Sequence, residues 1–404
     1  MQGIVFSLEI GSTKICALVG EVRNGELRII GVGQAPSRGV SKGMIVDVMQ
    51  ASVAISQAVE QAEQTSGYDL NRAVLSVAGE HVHSLNNSGA VAIANKNEGV
   101  TGEDIARALD TAQAIPLPHN RQILHLLPRT YAIDDQAEVS SPLGMHGFRL
   151  EVEAHIVTAA MPAIQNLTKC IKMVDLEAEE LVLNSLASGE AVLTQSEKEM
   201  GVLVADMGGG TTDIALYSGG AAWYTKTLPI GGAHITNDIA IGLRVPFEIA
   251  EDIKLKYGDC RPAQINPTAV FSVEQFNDEK IQVGRQDLAY VIEARVEEMF
   301  NLILDAVKES GYDGLLPAGV VLTGGGAQLK GAVQVANKVM GLPVRVAAPR
   351  NLEGLVDAIN SPAYATSVGL LRWALSEHNV YRPSERRSEW GNRLTMFLRS
   401  LFPG

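Results

Sequence analysis

Two stretches decide how this chain folds: Leu8-Glu-Ile-Gly-Ser-Thr-Lys-Ile-Cys-Ala-Leu18 and Ala205-Asp-Met-Gly-Gly-Gly-Thr-Thr-Asp-Ile-Ala-Leu216. Each reads as strand, acidic residue, glycine turn with hydroxyls, then strand. The second copy is one residue longer. Self-similarity at a separation of about 200 residues points to two duplicated α/β halves facing each other.

The first copy opens a meander, with β-like runs over residues 4–10, 15–22 and 27–32. Asn24-Gly25 between the last two is a strong hairpin signal. Residues 46–64 carry helical apolar spacing that stops at Gly67, and 73–78 read as a strand. From about 84 to 155 the pattern loosens, with a helix start at Thr101-Gly-Glu-Asp and strands over 122–133 and 150–157. Helical spacing resumes over 161–174 and 177–193. After the second copy come a strand over 223–228, helices over 232–241 and 246–257, and a long helix over 286–310. A strand over 319–323, a triple-glycine turn and a helix over 327–340 close this half.

The expected domains are a first-half core (1–83 and 159–197) interrupted by a small α+β subdomain (84–158), and a second-half core (198–228 and 311–376) carrying its own small subdomain (229–310). A polar linker (377–388) and a last segment (389–404) follow.

Composition sets bounds. A chain of 404 residues with 46% hydrophobic, 20% charged and only 5% aromatic residues suits several α/β layers better than a sandwich. A formal charge of -13 opposes binding to a phosphate backbone, so no nucleic-acid partner is expected. Cys16, Cys170 and Cys260 are odd in number and far apart, which argues against a disulfide framework or a zinc site and fits a reducing cytosol. The chain starts on a strand-like run without a signal pattern, and no window nears 18 uninterrupted apolar residues. Any membrane contact is therefore expected from the surface.

Phosphate requires close backbone N–H groups, hydroxyl donors and often a carboxylate for the magnesium it brings. Gly11, Ser12 and Thr13, flanked by Glu9 and Lys14, supply these; so do Gly208, Gly209, Gly210, Thr211 and Thr212 between Asp206 and Asp213. Either turn alone reads equally as a plain hairpin. A third turn, Thr323-Gly-Gly-Gly-Ala-Gln328, follows a buried strand and offers a Cβ-free surface on which a nucleoside could lie. All three in this order point to one nucleotide. No GxxxxGK[ST] and no strand-borne GxGxxG occurs, which removes the P-loop and dinucleotide classes.

At these residues the chain resembles the actin/Hsp70/hexokinase superfamily, whose two halves close on ATP and Mg2+. The resemblance implies that residues 9–14 and 206–212 are the phosphate segments, with Glu9 and Asp206 serving the metal. It implies adenosine contacts from Gly324, Gly325, Gly326 and Gln328, and further nucleotide contacts from Gly231, Gly232, Glu251 and Lys254. Residues 177–189 resemble the first connecting helix, placing Glu180 as the group that orients water, with at most slow hydrolysis. Within the superfamily the best match is the FtsA family of bacterial cell-division proteins, on residues 8–11, 122–134, 205–213 and the closing helix. That family implies self-association into filaments, contacts with later division proteins through the inserted subdomain, and a pocket for the C-terminal peptide of the tubulin-like FtsZ near Arg285 and Arg295.

The last sixteen residues place Trp390, Leu394, Phe397, Leu398, Leu401 and Phe402 on one helical arc about 140° wide, with Arg393 and Arg399 beside it. From Tyr381 onward five arginines face two glutamates, a net +3 in an acidic protein. This composition suits a helix lying in an anionic membrane surface, and the family resemblance implies that this is the cytoplasmic face of the inner membrane at the division septum. Two other readings stay open at this point: a metabolite kinase of the same superfamily, and a pilus-assembly adaptor.

Overall fold

The computed structural model describes residues 3–23, 26–95, 97–276, 279–312 and 314–375. In the first half, β1 (Gly3–Ile10), β2 (Lys14–Arg23) and β3 (Glu26–Pro36) form the expected antiparallel meander. Arg23 pairs with Glu26 across its bend; Asn24-Gly25 lie outside the described residues. A short hairpin, β4 (Val40–Ser41) and β5 (Met44–Ile45), leads to α1 (Val48–Ser66). Asp47 caps the start of α1, and Gly67, at φ 75°, ends it in the left-handed conformation. Strand β6 (Arg72–Val77) returns parallel to β1.

The insertion makes a separate sheet of β7 (Val82–Ala92), β8 (Arg121–Ile133), β9 (Gln136–Val139) and β10 (Arg149–Ala160), in the order β7-β10-β8-β9. Helix α2 (Gly102–Ala112) packs its apolar face on this sheet around Leu109, Leu150 and Val152. The chain then returns through α3 (Met161–Lys172) to β11 (Glu177–Leu183) and α4 (Asn184–Val192).

Beyond α5 (Gln195–Met200) the second half repeats the plan. The meander is β12 (Val202–Met207), β13 (Thr212–Ser218) and β14 (Ala221–Leu228). Helices α6 (Gly232–Leu243) and α7 (Phe247–Tyr257), the hairpin β15 (Val270–Glu274) and β16 (Lys280–Gly284), and α8 (Arg285–Glu309) follow. Strand β17 (Val320–Thr323) runs parallel to β12, and β18 (Val344–Val346) lies outside it, after α9 (Ala332–Met340). Order β18-β17-β12-β13-β14 thus duplicates β11-β6-β1-β2-β3. A last short strand, β19 (Glu353–Gly354), pairs with β3, and α10 (Ala365–Leu375) ends the described chain.

Helices α4 and α10 meet backbone to backbone. A Cβ on Gly369 would lie 1.8 Å from the carbonyl oxygen of Ala187, so only glycine permits that approach. Central strands such as β12, buried along their whole length, are covered on both faces, as parallel pairing requires.

Two expectations are corrected. Residues 177–193 are not one helix: Glu177–Leu183 pairs in parallel with β6, because the sheet edge offers six residue pairs of ladder that outweigh the helix propensity of Glu, Ala and Leu. Residues 327–340 are likewise split, since Gly331 at φ 87° separates a short 3-10 turn from α9.

The inserted sheet also touches the second half. Ser84 Oγ donates to the Thr225 carbonyl (2.8 Å), Asn86 Nδ2 to that of Trp223 (3.3 Å), and buried His155 bridges Asn86 Oδ1 (2.7 Å) and Thr225 Oγ1 (3.0 Å). Asn86 spends its amide nitrogen on Trp223, so His155 Nδ1 donates to Oδ1 and Nε2 accepts from Thr225, the neutral tautomer. Burial holds its pKa down at about 3, which keeps it neutral. Arg129 lies over the Trp223 ring at 3.5 Å and donates to the Tyr312 hydroxyl (2.9 Å). Among the described residues no helix is long and apolar enough to cross a membrane. The expected linker over 377–388 and the amphipathic segment over 389–404 lie outside the described residues.

Candidate functional site

Strands β1, β12 and β17 deliver Glu9, Asp206 and Thr323 at their C-terminal ends, the edge at which α/β sheets hold ligands. Asp206 stands opposite Thr323 in the parallel ladder, which joins the second and third turns. The first two turns close with the same bond: Gly11 N–H donates to Lys14 O (3.0 Å), and Gly208 N–H to Thr211 O (2.9 Å).

The turns also touch each other. A Cβ on Gly209 would fall 2.2 Å from Thr13 Cγ2, and one on Gly210 2.5 Å from Ser12 Oγ. These glycines are what allow the halves to meet here. In the third turn Gly324, at φ 81°, packs against Asp206 and Met207, whereas a Cβ on Gly325 would meet nothing within 4 Å. Gly325 therefore presents open backbone, with Gly326 and Gln328 in the same 3-10 turn.

Around the turns lie three carboxylates and one half-buried lysine. Asp206 accepts from Ser188 Oγ (2.5 Å) and Thr366 Oγ1 (2.7 Å), and Glu9 accepts from Ser367 Oγ. Asp213 accepts from Thr227 (2.6 Å) and Thr211 (3.1 Å). Burial pushes Asp206 up to about 6 and Asp213 up to about 7 against these hydrogen bonds. Burial alone would lower the pKa of Lys14, but the negative charge of Glu9, Cys16, Tyr364 and Asp206 together outweighs that and raises it. The Lys14 ammonium donates to the Ala363 carbonyl and sits 3.9 Å above the Tyr364 ring. The deficit of positive charge among these acids is what a metal-bearing ligand would supply.

Gly231 and Gly232 hold the second turn with their backbone. Gly232 N–H donates to Gly208 O (2.9 Å) and the Gly231 N–H to His234 Nδ1 (3.1 Å), so these amides are committed within the protein. Lys254 Nζ reaches the Gly232 carbonyl (3.1 Å), Thr236 (2.8 Å) and Glu251 (2.7 Å), tying α7 to the start of α6. Glu180 is elsewhere. It lies on β11, not on a helix, and accepts from Trp373 Nε1 (3.2 Å), seven residues and about 10 Å along α10 from Thr366.

Ser188, Thr366 and Ser367, which hydrogen-bond the carboxylates, were not identifiable from the turns. The available signal was hydroxyls in otherwise apolar helical runs, at Asn184-Ser-Leu-Ala-Ser188 and Ala365-Thr-Ser-Val368. In the second half Arg295 is held by Asp238 (2.6 and 3.0 Å) and Glu298, while Arg285, the first residue of α8, leaves its buried Nε without a hydrogen bond.

Residues 203–369 match a family described as "Cell division protein FtsA", and 79–158 one described as "SHS2 domain inserted in FTSA". The chain is 42% identical to the cell division protein FtsA of Pseudomonas aeruginosa over 93% of its own length and 90% of the relative's. It is 36% identical to that of Escherichia coli K12 over 99% and 98% respectively, and 36% identical to that of Bacillus subtilis over 91% and 82%. Among solved structures, the fold is shared with the PilM-PilN type IV pilus biogenesis complex (TM-score 0.66, 16% identity, covering 92% of this chain and 98% of that one). It is shared too with MreB5 of Spiroplasma citri bound to ADP (TM-score 0.55, 14% identity, 94% and 99%). With duplicated actin-like halves, an inserted subdomain and identity of this depth along almost the whole length, the chain belongs to the FtsA family of cell division proteins.

Proposed function

We propose that the chain is an ATP-binding, filament-forming adaptor that ties FtsZ filaments to the cytoplasmic face of the inner membrane at the division septum. The observation that carries the nucleotide part is the contact of Ser12 and Thr13 with Gly209 and Gly210, ringed by Glu9, Asp206 and Lys14. Phosphates would be held by residues 11–14 and 208–212, and the nucleoside by the Gly324–Gly326 turn, with Lys254 and Glu251 bracing the neighbouring helices. Glu9 and Asp206 give two carboxylates, the number Mg2+ commonly takes from a protein when phosphate and water complete its shell. Mg2+ would neutralise phosphate charge there. The core, inserted and small subdomains are taken to divide at the boundaries set out from the sequence, with residues 389–404 on anionic lipid and the inserted subdomain receiving later division proteins.

Asp206→Asn is expected to weaken Mg-ATP binding at least tenfold while leaving metal-free ATP within about twofold, since it removes charge but keeps a polar side chain. The wild type should release protons on binding. Asp206 is partly protonated near pH 6, and a cation favours its charged form. Release should therefore approach half a proton at pH 6 and vanish by pH 8. Calorimetry in buffers of different ionisation enthalpy reads both; equal losses with and without Mg2+ would remove Asp206 from the metal's shell.

For FtsZ, Arg285 is the better-placed cation, because Arg295 is already paired. Arg285→Glu should weaken binding of the FtsZ C-terminal peptide about tenfold, the worth of one charged hydrogen bond. Arg295→Glu should chiefly lower thermal stability through unpaired Asp238. Unchanged peptide affinity in Arg285→Glu would move the pocket elsewhere.

A further inference from the structure

The hairpin between β4 and β5 is not one of the three glycine turns, yet its tip touches two of them. Its two-residue tip is Lys42-Gly43, at φ 48° and 75°, the paired left-handed conformation usually occupied by Asn-Gly or Asp-Gly. A lysine there is conformationally strained. The tip is anchored, since Gly43 N–H donates to Ser12 Oγ at 3.0 Å. It also reaches the opposite half: a Cβ on Gly210 would stand 3.2 Å from the Lys42 Cα. Lys42 therefore sits where the first and second turns meet.

The second turn gives this position a direction. It leaves β12 at Met207, packed against Gly324 and Gly326 of the third turn, and carries Gly210 at its tip, against Lys42. A nucleotide whose nucleoside lies on the third turn and whose phosphates follow the second has its last phosphate at Gly210. Positive charge is scarce at that end. Lys14 is committed to Ala363 and Tyr364, and Lys254 to Glu251. Lys42 is exposed, and among the described residues no carboxylate lies within ion-pairing distance of it.

We infer that Lys42 is the cation that recognises the terminal phosphate of a nucleoside triphosphate and so distinguishes ATP from ADP. This rests on the nucleotide reading above and names a determinant within it. The Lys42 Cα stands at the junction of the turns, and the bond from Gly43 to Ser12 couples the tip to the first turn.

Lys42→Gly is the decisive variant, because glycine relieves the left-handed strain and the fold should lose nothing. With the full-length protein, Mg-ATP and Mg-ADP affinities are measured by calorimetry, with thermal unfolding of the nucleotide-free protein alongside. ATP affinity should fall about tenfold while ADP affinity stays within about twofold, and Lys42→Arg should restore most of the difference. If wild type binds both nucleotides and Lys42→Gly weakens both equally or neither, the assignment of Lys42 is wrong and the nucleotide site stands. If wild type binds neither, both readings fall together.

Discussion

Gly369→Val is expected to destabilise the protein by at least 3 kcal/mol, at the upper end of the range of about 1–3 kcal/mol for overpacked interiors. Its Cβ would lie 1.8 Å from Ala187 O and 2.3 Å from the carbonyl carbon, so the obstruction is backbone, which cannot rotate away. Gly369→Ala is the sharper test, because two effects of opposite sign compete. Replacing a helix-interior glycine by alanine stabilises by about 1 kcal/mol where space allows. Here the overlap should win, and the melting temperature should fall. Nucleotide affinity should fall with it, because α10 also carries Thr366 and Ser367, which hold Asp206 and Glu9. An alanine variant as stable as wild type would show that α4 and α10 do not meet at this point.

Removing residues 389–404 should abolish binding to anionic vesicles while leaving ATP affinity unchanged. Arg393 and Arg399 contribute about 1 kcal/mol each near such a surface, too little once salt screens them. Six apolar residues supply the rest, and burying one phenylalanine contributes roughly 1.5–3 kcal/mol. Phe397→Glu replaces that gain with a carboxylate on the arc and should reduce flotation to background. Met396→Glu, on the polar side, should retain most of it. Equal flotation of Phe397→Glu and wild type would mean that the segment does not insert by this face.

The glycine turns were legible because their requirement is local. A glycine beside hydroxyls between two strands states its geometry within six residues, and the repetition stated the fold. The hydroxyls that hold Asp206 and Glu9 were hidden by distance, since Thr366 and Ser367 lie 160 and 358 residues from the acids they serve. Glu180 was misplaced for a related reason: Glu177-Ala-Glu-Glu-Leu-Val-Leu183 is composed of helix formers and becomes a strand only because β6 lies beside it. The hairpin tip at Lys42 went unread because a lysine in the left-handed region carries none of the usual Asn-Gly signature. Family membership sets aside the metabolite kinase and the pilus adaptor, which the turns alone left open.

The inserted subdomain is covalently part of the first half, yet Ser84, Asn86, Arg129 and His155 fasten it to Thr225, Trp223 and Tyr312 of the second. It bridges the two halves in the manner of a strut. Any change in the angle between the halves must either carry the strut along or break its bonds, so a load applied to the subdomain from outside acts as torque on the cleft. Such coupling is reciprocal: whatever the cleft gains by gripping its ligand with the strut engaged, a protein pulling on the strut must work against by the same amount.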